Sequence, residues 1–378
     1  MNNLYQRLSV FTASSCNLNC KYCIEKDCKM EPISHPQGYL KYINKVKLLN
    51  PNNKDTITSI ELWGGEPLIG LDDFIFYLSD FYREFPNINT IQISTNFTLS
   101  NSAELINTLS ARLYTFNPVA RIKLQISIDG PQWINDFNRG EGTTQKVLNN
   151  VALLDMQYNN IDIVTNSVLY TKGLYGIVSY ELMENWFNFF LDNFSTDVKF
   201  GLFRFERKDT PFTNEDGARA AQLLAWADQW RTQNPAAASR FIWPDYKPYT
   251  LSICSAVAPN GLLALSPSCE RAICHQAIWE GYYGLNVSQI NFSAISQALM
   301  NHYPNFKNNI TLEDFKESLS IYTSIMWCPL RAANPSDAMS VGDFSIDATF
   351  MYAMPLYYNG AMNILLKWSR NYGQNSIN

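Results

Sequence analysis

"TIQISTN" (residues 90–96) and "RIKLQISIDG" (121–130) decide which α/β architecture the chain adopts. In the first, Ile91 and Ile93 alternate with Gln92, Ser94 and Asn96. In the second, Leu124, Ile126 and Ile128 alternate with Gln125, Ser127 and Asp129. Successive strand residues point to opposite faces, so each strand has one apolar face and one polar face. Parallel strands covered by helices on both sides read as continuous apolar runs instead. One polar face implies a wet interior, which favours a parallel barrel over an open doubly wound sheet.

The neighbouring segments repeat the rhythm. "RLSVFTAS" (7–14), "ITSIELW" (57–63), "IDIVTNSVL" (161–169) and "DVKFGLFRFE" (197–206) read as four more strands, each followed by a helical pattern. "LDDFIFYLSDFYREF" (71–85) puts Phe74, Leu78, Phe81 and Phe85 on one face, the spacing of a helix packed on a sheet. Asn101 and Glu104 have the spacing of a capping box. Val147, Leu148, Val151 and Leu154 fall in helical register, and further helices are expected near 176–193 and 214–233. Six βα units predict an α/β fold, a partial (β/α)6 TIM-like barrel over residues 1–235. The proline-rich "NPAAASRFIWPDYKPY" (234–249) breaks the rhythm and begins a C-terminal region, residues 236–378.

The chain has 378 residues, 46% apolar and 17% charged, with a net charge of −5. That is a globular composition, and its charge argues against a broad nucleic-acid or membrane footprint. "MNNLYQRLSVFTASS" (1–15) has no secretory-signal pattern. No apolar run approaches the roughly 18 residues of a membrane span. A cytoplasmic location is expected.

In that compartment the eight cysteines do not make a disulfide framework. They fall into Cys16, Cys20, Cys23 and Cys28, then Cys254, Cys269, Cys274 and Cys328. Two groups of soft ligands suggest metal or iron–sulfur binding. Scattered buried thiols are the alternative, a stronger one for the widely spaced second group. "SSCNLNCKYC" (14–23) closes the first strand with the spacing Cys16-x3-Cys20-x2-Cys23. Three thiolates on a four-iron cube leave one iron open. Each chemistry-bearing residue falls at the C-terminal end of a strand, where parallel barrels carry their active sites.

At these residues the chain resembles the radical S-adenosylmethionine (SAM) enzymes, whose signature is CxxxCxxC with an aromatic residue, here Tyr22, before the last cysteine. The resemblance implies a [4Fe–4S] cluster on Cys16, Cys20 and Cys23, with SAM chelated at the open iron. Reductive cleavage of SAM then gives methionine and a 5′-deoxyadenosyl radical that abstracts hydrogen from substrate. "ELWGGEPLI" (61–69) resembles the family's GGEP turn, which implies cofactor-binding roles for Gly64, Gly65, Glu66 and Pro67, with Glu66 accepting from the methionine ammonium. "STN" (94–96) and "SIDGP" (127–131) match the third and fourth strand ends and imply that Thr95, Asn96, Ser127 and Asp129 line the cofactor and substrate cavity. Arg139 in "INDFNRGEGT" (134–143) matches an arginine that pairs with the methionine carboxylate; a solvated loop arginine is the alternative. "RGEGT" lacks the full spacing of a dinucleotide loop.

"ISIDGP" with GGEP points to the peptide- and protein-modifying branch that carries a cysteine-rich SPASM or twitch extension. This branch includes anaerobic sulfatase-maturing and ribosomal-peptide-modifying enzymes. The resemblance then implies one auxiliary [4Fe–4S] cluster on Cys254, Cys269, Cys274 and Cys328, with Cys28 spare and His275 an alternative ligand. That cluster would relay electrons or, with an open iron, hold substrate. The expected function is hydrogen abstraction from a residue of a peptide or protein, leading to oxidation or cross-linking, with flavodoxin or ferredoxin as electron donor. A small-molecule substrate, nucleotide or amino acid, is the second reading. It gains weight because no leader-peptide recognition domain precedes the first strand. A non-catalytic iron–sulfur or zinc-binding interaction module is the third. No general base is assigned.

Overall fold

The computed structural model describes residues 6–23, 36–49, 54–169, 176–205, 214–242 and 262–272. Its elements run β1 (Arg7–Ala13), α1 (Pro36–Leu49), β2 (Ser59–Gly64), α2 (Leu71–Glu84), β3 (Thr90–Thr95), α3 (Ser102–Phe116), β4 (Arg121–Ser127), α4 (Gln132–Arg139), α5 (Thr143–Ala152), β5 (Ile161–Leu169), α6 (Tyr180–Asn193), β6 (Lys199–Phe205), α7 (Asn214–Gln233), α8 (Pro235–Ala238), β7 (Phe241–Ile242), β8 (Leu262–Leu265) and β9 (Arg271–Ala272). The chain divides into two compact units. The first is drawn from residues 1–173, 185–206 and 259–284, the second from 174–184, 207–258 and 285–378.

The sheet of the first unit has the order β6-β5-β4-β3-β2-β1-β8-β9. Strands β1 to β6 and β8 pair parallel, and β9 turns back antiparallel on β8. Each of the first six strands lies beside its sequence neighbour. A doubly wound sheet reverses direction at a switch point; this one winds one way, as a barrel does.

Register explains the alternating sequences. Leu263, Leu8, Ile60, Ile91, Ile122 and Ile161 lie side by side across six strands, and Val10, Leu62, Ile93, Leu124 and Ile163 form the next row. Both rows are buried. Each such side chain contributes about 1.5–3 kcal/mol through its removal from water. A one-residue slip would turn every one of them to the other face. On that other face Gln92, Ser94, Gln125 and Ser127 remain partly accessible, and Gln125 Nε2 donates to Ser94 Oγ at 3.1 Å.

Helix α2 buries Phe74, Leu78 and Phe81 as its periodicity predicts, with Phe85 closing its end. Tyr39 of α1 stacks on Tyr77 at 5.2 Å. Two local expectations differ from the structure. Asn101 precedes α3 but its side chain makes no cap bond: its backbone, φ −106° and ψ 16°, is not the extended form that aims a cap at the N3 amide. Helix α5 ends at Ala152, so only Val147 of its predicted apolar face is fully buried and Leu154 lies beyond it. Helix α4 has no counterpart in the sequence reading.

In the second unit Tyr180 donates to Gln233 Oε1, and buried Trp230 meets Phe241 edge-on at 5.5 Å. Among the described residues no helix is long and apolar enough to cross a membrane.

Candidate functional site

The cysteine loop leaves the C-terminal end of β1 and is fastened at once to the turn after β2. Gly65 N donates to Ala13 O and Glu66 N to Ser15 O, both at 2.9 Å. A Cβ on Gly64 would lie 2.1 Å from Ala13 O, and one on Gly65 would lie 2.5 Å from Ser15 O. Those distances are below any contact, and Gly64 also has φ +148°. The two glycines are therefore what lets the segments touch. Pro67 opens a 3-10 turn over Pro67–Gly70, for which Glu66 is the N-cap, a position before Pro that suits both residues.

Glu66 is 1% exposed, and both its oxygens are engaged. Oε1 accepts from Thr95 Oγ1 at 2.6 Å and from Leu68 N at 3.0 Å; Oε2 accepts from Asn96 N at 2.7 Å. Burial pushes its carboxyl above the usual range, while these donors and the nearby Arg139 charge push back. Glu66 thus joins the ends of β2 and β3.

A second cluster gathers on Asp129, at the end of β4. Its Oδ2 accepts from Tyr22 Oη at 2.7 Å, Asn138 Nδ2 at 3.1 Å and Arg139 Nε at 3.1 Å. Its Oδ1 accepts from Arg139 Nη2 and Val168 N, each at 2.9 Å. A register shift in β5 between Asn166 and Val168 turns the Val168 amide out of the ladder toward this carboxylate. The Asp129 backbone is held as well, its N–H by Asn135 Oδ1 and its carbonyl by Trp186 Nε1 at 2.8 Å. Burial opposes the Arg139 charge, but Asp129 outweighs it and holds the guanidinium above its ordinary pKa. Tyr22 is likewise held well above the usual phenol range, first by burial and then by its acidic acceptor.

Cys16 is exposed and Cys20 and Cys23 are half-buried, all three as free thiols. Partial desolvation of the sulfur pushes the Cys16 thiol up to about 11, and burial raises that of Cys20, which Arg139 partly offsets. Among the described residues no three Cys, His, Asp or Glu side chains converge as one metal ion requires. Soft thiols spread along residues 16–23 fit the separated corners of a polynuclear iron–sulfur cluster.

The structure therefore brings Cys16, Gly64, Gly65, Glu66, Pro67, Thr95 and Asn96 together on one side, and Tyr22, Asp129 and Arg139 on the other. Cys20 and Cys23 follow Cys16 toward the second side, where Lys21 N donates to Asn138 O at 2.9 Å and the Lys21 ammonium sits 3.0 Å above the Phe137 ring. Ser127 faces the inner side of β4, opposite Asn166 in register. Arg139 is not a loop residue; it ends α4, 7% exposed. Of the second cysteine group only Cys269 is described, buried in the turn between β8 and β9 with φ +67°. Cys28, Cys254, Cys274, Cys328 and His275 lie outside the described residues. Sequence reasoning missed Asn17, Thr98, Asn135, Asn138 and Trp186: none carries a motif, and Asn17 and Trp186 reach their partners across 79 and 57 residues.

Residues 6–131 match the family model of a 4Fe-4S single cluster domain. The chain resembles the solved structure of hexahistidine-tagged anSMEcpe with bound AdoMet, with a TM-score of 0.58 and 14% identity over 96% of this chain and 98% of that one. It also resembles Streptococcus suis SuiB bound to S-adenosylmethionine, at 12% identity and a TM-score of 0.48 over 78% of this chain and 65% of SuiB. At such identities the first likeness speaks to fold alone, and the second is too weak to add to it. Comparison with curated proteins finds no match. The segment that matches the 4Fe-4S single cluster domain therefore lies on a parallel sheet whose fold is similar to that of anSMEcpe.

Proposed function

We propose that the protein is a radical SAM enzyme that abstracts hydrogen from a residue of a peptide or protein. The observation that carries this reading is the fastening of the three-cysteine loop to the GGEP turn through Gly65 N and Glu66 N. It sets the three-cysteine loop, with Cys16 beside the buried Glu66 carboxylate, at the C-terminal mouth of a parallel sheet, where barrel enzymes hold their substrates. When bound, the [4Fe–4S] cluster supplies the low-potential electron that cleaves SAM.

The chain's own residues then hold and orient. Cys16, Cys20 and Cys23 ligate the cluster. Glu66 keeps acceptor capacity on Oε2 for the methionine ammonium. Arg139 has committed Nε and Nη2 to Asp129 and offers its Nη1 edge to the methionine carboxylate, a planar donor suited to it. Gly64, Gly65 and Pro67 shape the turn against which SAM lies, and Thr95, Asn96 and Ser127 rim the cavity with Asp129 beneath. The inner face of β3 and β4, with Ser94, Gln125 and Ser127, presents hydroxyl and amide groups that suit a peptide backbone. Cys254, Cys269, Cys274 and Cys328 would hold one auxiliary [4Fe–4S] cluster, and a flavodoxin or ferredoxin would deliver the electron.

Anaerobic reconstitution with iron and sulfide, reduction by dithionite and chromatography for 5′-deoxyadenosine test the reading. SAM-dependent release of 5′-deoxyadenosine is expected. A reduced cluster that leaves SAM intact would falsify it.

A further inference from the structure

Asn96 is 8% exposed, and its side chain is fixed from both ends. Its Oδ1 accepts from Thr98 N at 3.0 Å and Thr98 Oγ1 at 2.7 Å, which settles which end of the amide is the carbonyl. The Nδ2 group then donates to Asn17 Oδ1 at 2.9 Å and to Cys16 Sγ at 3.5 Å. Asn17 Nδ2 returns to Thr98 Oγ1 at 2.9 Å. Three side chains thus close a ring of hydrogen bonds in which each is both donor and acceptor, an arrangement whose members polarise one another. The Asn96 backbone is held in turn, its N–H given to Glu66 Oε2. Leu18 N adds a second donor to Cys16 Sγ at 3.4 Å.

Cys16 Sγ therefore receives two N–H groups, one from its own loop and one from a side chain pinned to the ends of β2 and β3. Hydrogen bonds to the sulfurs of an iron–sulfur cluster are among the determinants of its reduction potential. Reduction adds negative charge that spreads onto the thiolates, so an N–H donor stabilises the reduced cluster more than the oxidised one and raises the potential.

We propose that Asn96 is a positioning residue for the cluster: its amide donates to the Cys16 thiolate and raises the potential at which the cluster accepts its electron. Beyond the cavity-lining role that the resemblance implies for this residue, the ring turns its amide to a ligand cysteine. The inference rests on the reading that Cys16, Cys20 and Cys23 ligate a cluster. It is confined to Asn96 and the ring that orients it.

The test is a potentiometric titration of the reconstituted protein without SAM, following the reduced-cluster electron paramagnetic resonance signal. Iron content is measured alongside. Asn96→Leu keeps the branched shape and heavy-atom count of the side chain and removes the donor; Asn96→Asp puts an acceptor where the donor was. The expected result is full iron content with a midpoint below wild type in N96L and lower again in N96D. An N96L midpoint equal to wild type, with the cluster intact, overturns the proposal. Should N96L fail to hold iron, Thr98→Val replaces it: this variant leaves Asn96 and its bond from Thr98 N in place but opens the ring at the Thr98 hydroxyl. A lower midpoint in T98V supports the proposal and an unchanged one overturns it. A wild-type chain that takes up no cluster overturns the underlying functional reading itself, an outcome distinct from any shift in potential.

Discussion

Arg139 and Asp129 form an ion pair from which water is almost wholly excluded, with side chains 7% and 0% exposed and a contact of 2.9 Å between Nη2 and Oδ1. A second bond, Nε to Oδ2 at 3.1 Å, makes the pair bidentate. The carboxylate also accepts from Tyr22, Asn138 and Val168. Removing one partner of such a pair leaves the other buried and uncompensated, at a cost of about 3–5 kcal/mol. Asp129→Asn should lose stability of that order in urea unfolding. Asp129→Asn combined with Arg139→Met should recover part of it, since the stranded charge is gone.

Tyr22 lies between Cys20 and Cys23, and its hydroxyl donates to Asp129 at 2.7 Å. Tyr22→Phe keeps the ring and deletes a hydrogen bond to a charged acceptor, worth about 1.5–3 kcal/mol. It should loosen the cysteine loop. The expected outcome is faster loss of iron to a chelator from the reconstituted variant than from wild type, with the barrel's far-ultraviolet circular dichroism unchanged.

Gly130 and Gly142 both have positive φ, +130° and +75°, but different surroundings. A Cβ on Gly130 would lie 2.4 Å from Trp186 Nε1, the donor that holds the Asp129 carbonyl, whereas one on Gly142 meets nothing within 4 Å. Gly142→Ala should cost only the conformational term, of order 1–2 kcal/mol. Gly130→Ala adds a steric clash and should lower the thermal midpoint considerably more. Equal losses in the two variants would remove Trp186 from the account.

Asp136 accepts from Gly142 N, Thr144 N, Thr144 Oγ1 and Thr143 Oγ1, and so caps the start of α5 from within α4. Partial burial raises its carboxyl, but these donors outweigh burial and hold it below the ordinary value. For a carboxyl with a lowered folded pKa, the stabilisation is complete above the unfolded value near 4. It is lost as pH falls through the folded value. Wild type should therefore lose stability relative to Asp136→Asn as pH drops below about 4. Near neutrality Asp136→Ala should cost about 1 kcal/mol, as other cap losses do.

The two cysteine groups can be separated by iron analysis. On the proposed assignment, replacing Cys16, Cys20 and Cys23 together with alanine leaves the auxiliary cluster. The reconstituted triple variant should keep about half the wild-type iron of ~8 atoms per chain, two four-iron clusters. It should form no 5′-deoxyadenosine.

The architecture was legible because it rests on period-two patterning. Ile91, Ile93, Leu124 and Ile126 had one admissible face each, and six such strands with helices between them left little freedom. The cysteine loop and the GGEP turn were legible because their chemistry is local, held in spacing and in glycines that permit close approach. Helix α4 was not: eight residues rich in asparagine and aspartate have weak helical propensity. Its reason for being helical is tertiary, since one face delivers Asn135, Asn138 and Arg139 to Asp129. The bond from Trp186 to Asp129 joins positions 57 residues apart and leaves no trace in either neighbourhood. Nor did the pattern announce that β8 would pair with β1, because "LLAL" (262–265) lies past the point where the βα rhythm stops.

That last pairing bears on how the chain is made. β1 leaves the ribosome well before its second neighbour, β8, which begins at Leu262. At about 5–20 residues per second, the interval between completing β2 and releasing β8 is roughly 10–40 s. Throughout it, one edge of β1, with Leu8 and Val10 on its apolar face, has no strand beside it. Open strand edges of this kind recruit other chains, so the nascent protein passes through a stage that depends on chaperone cover or on low local concentration. A transcript truncated before codon 262 would hold the chain at that stage.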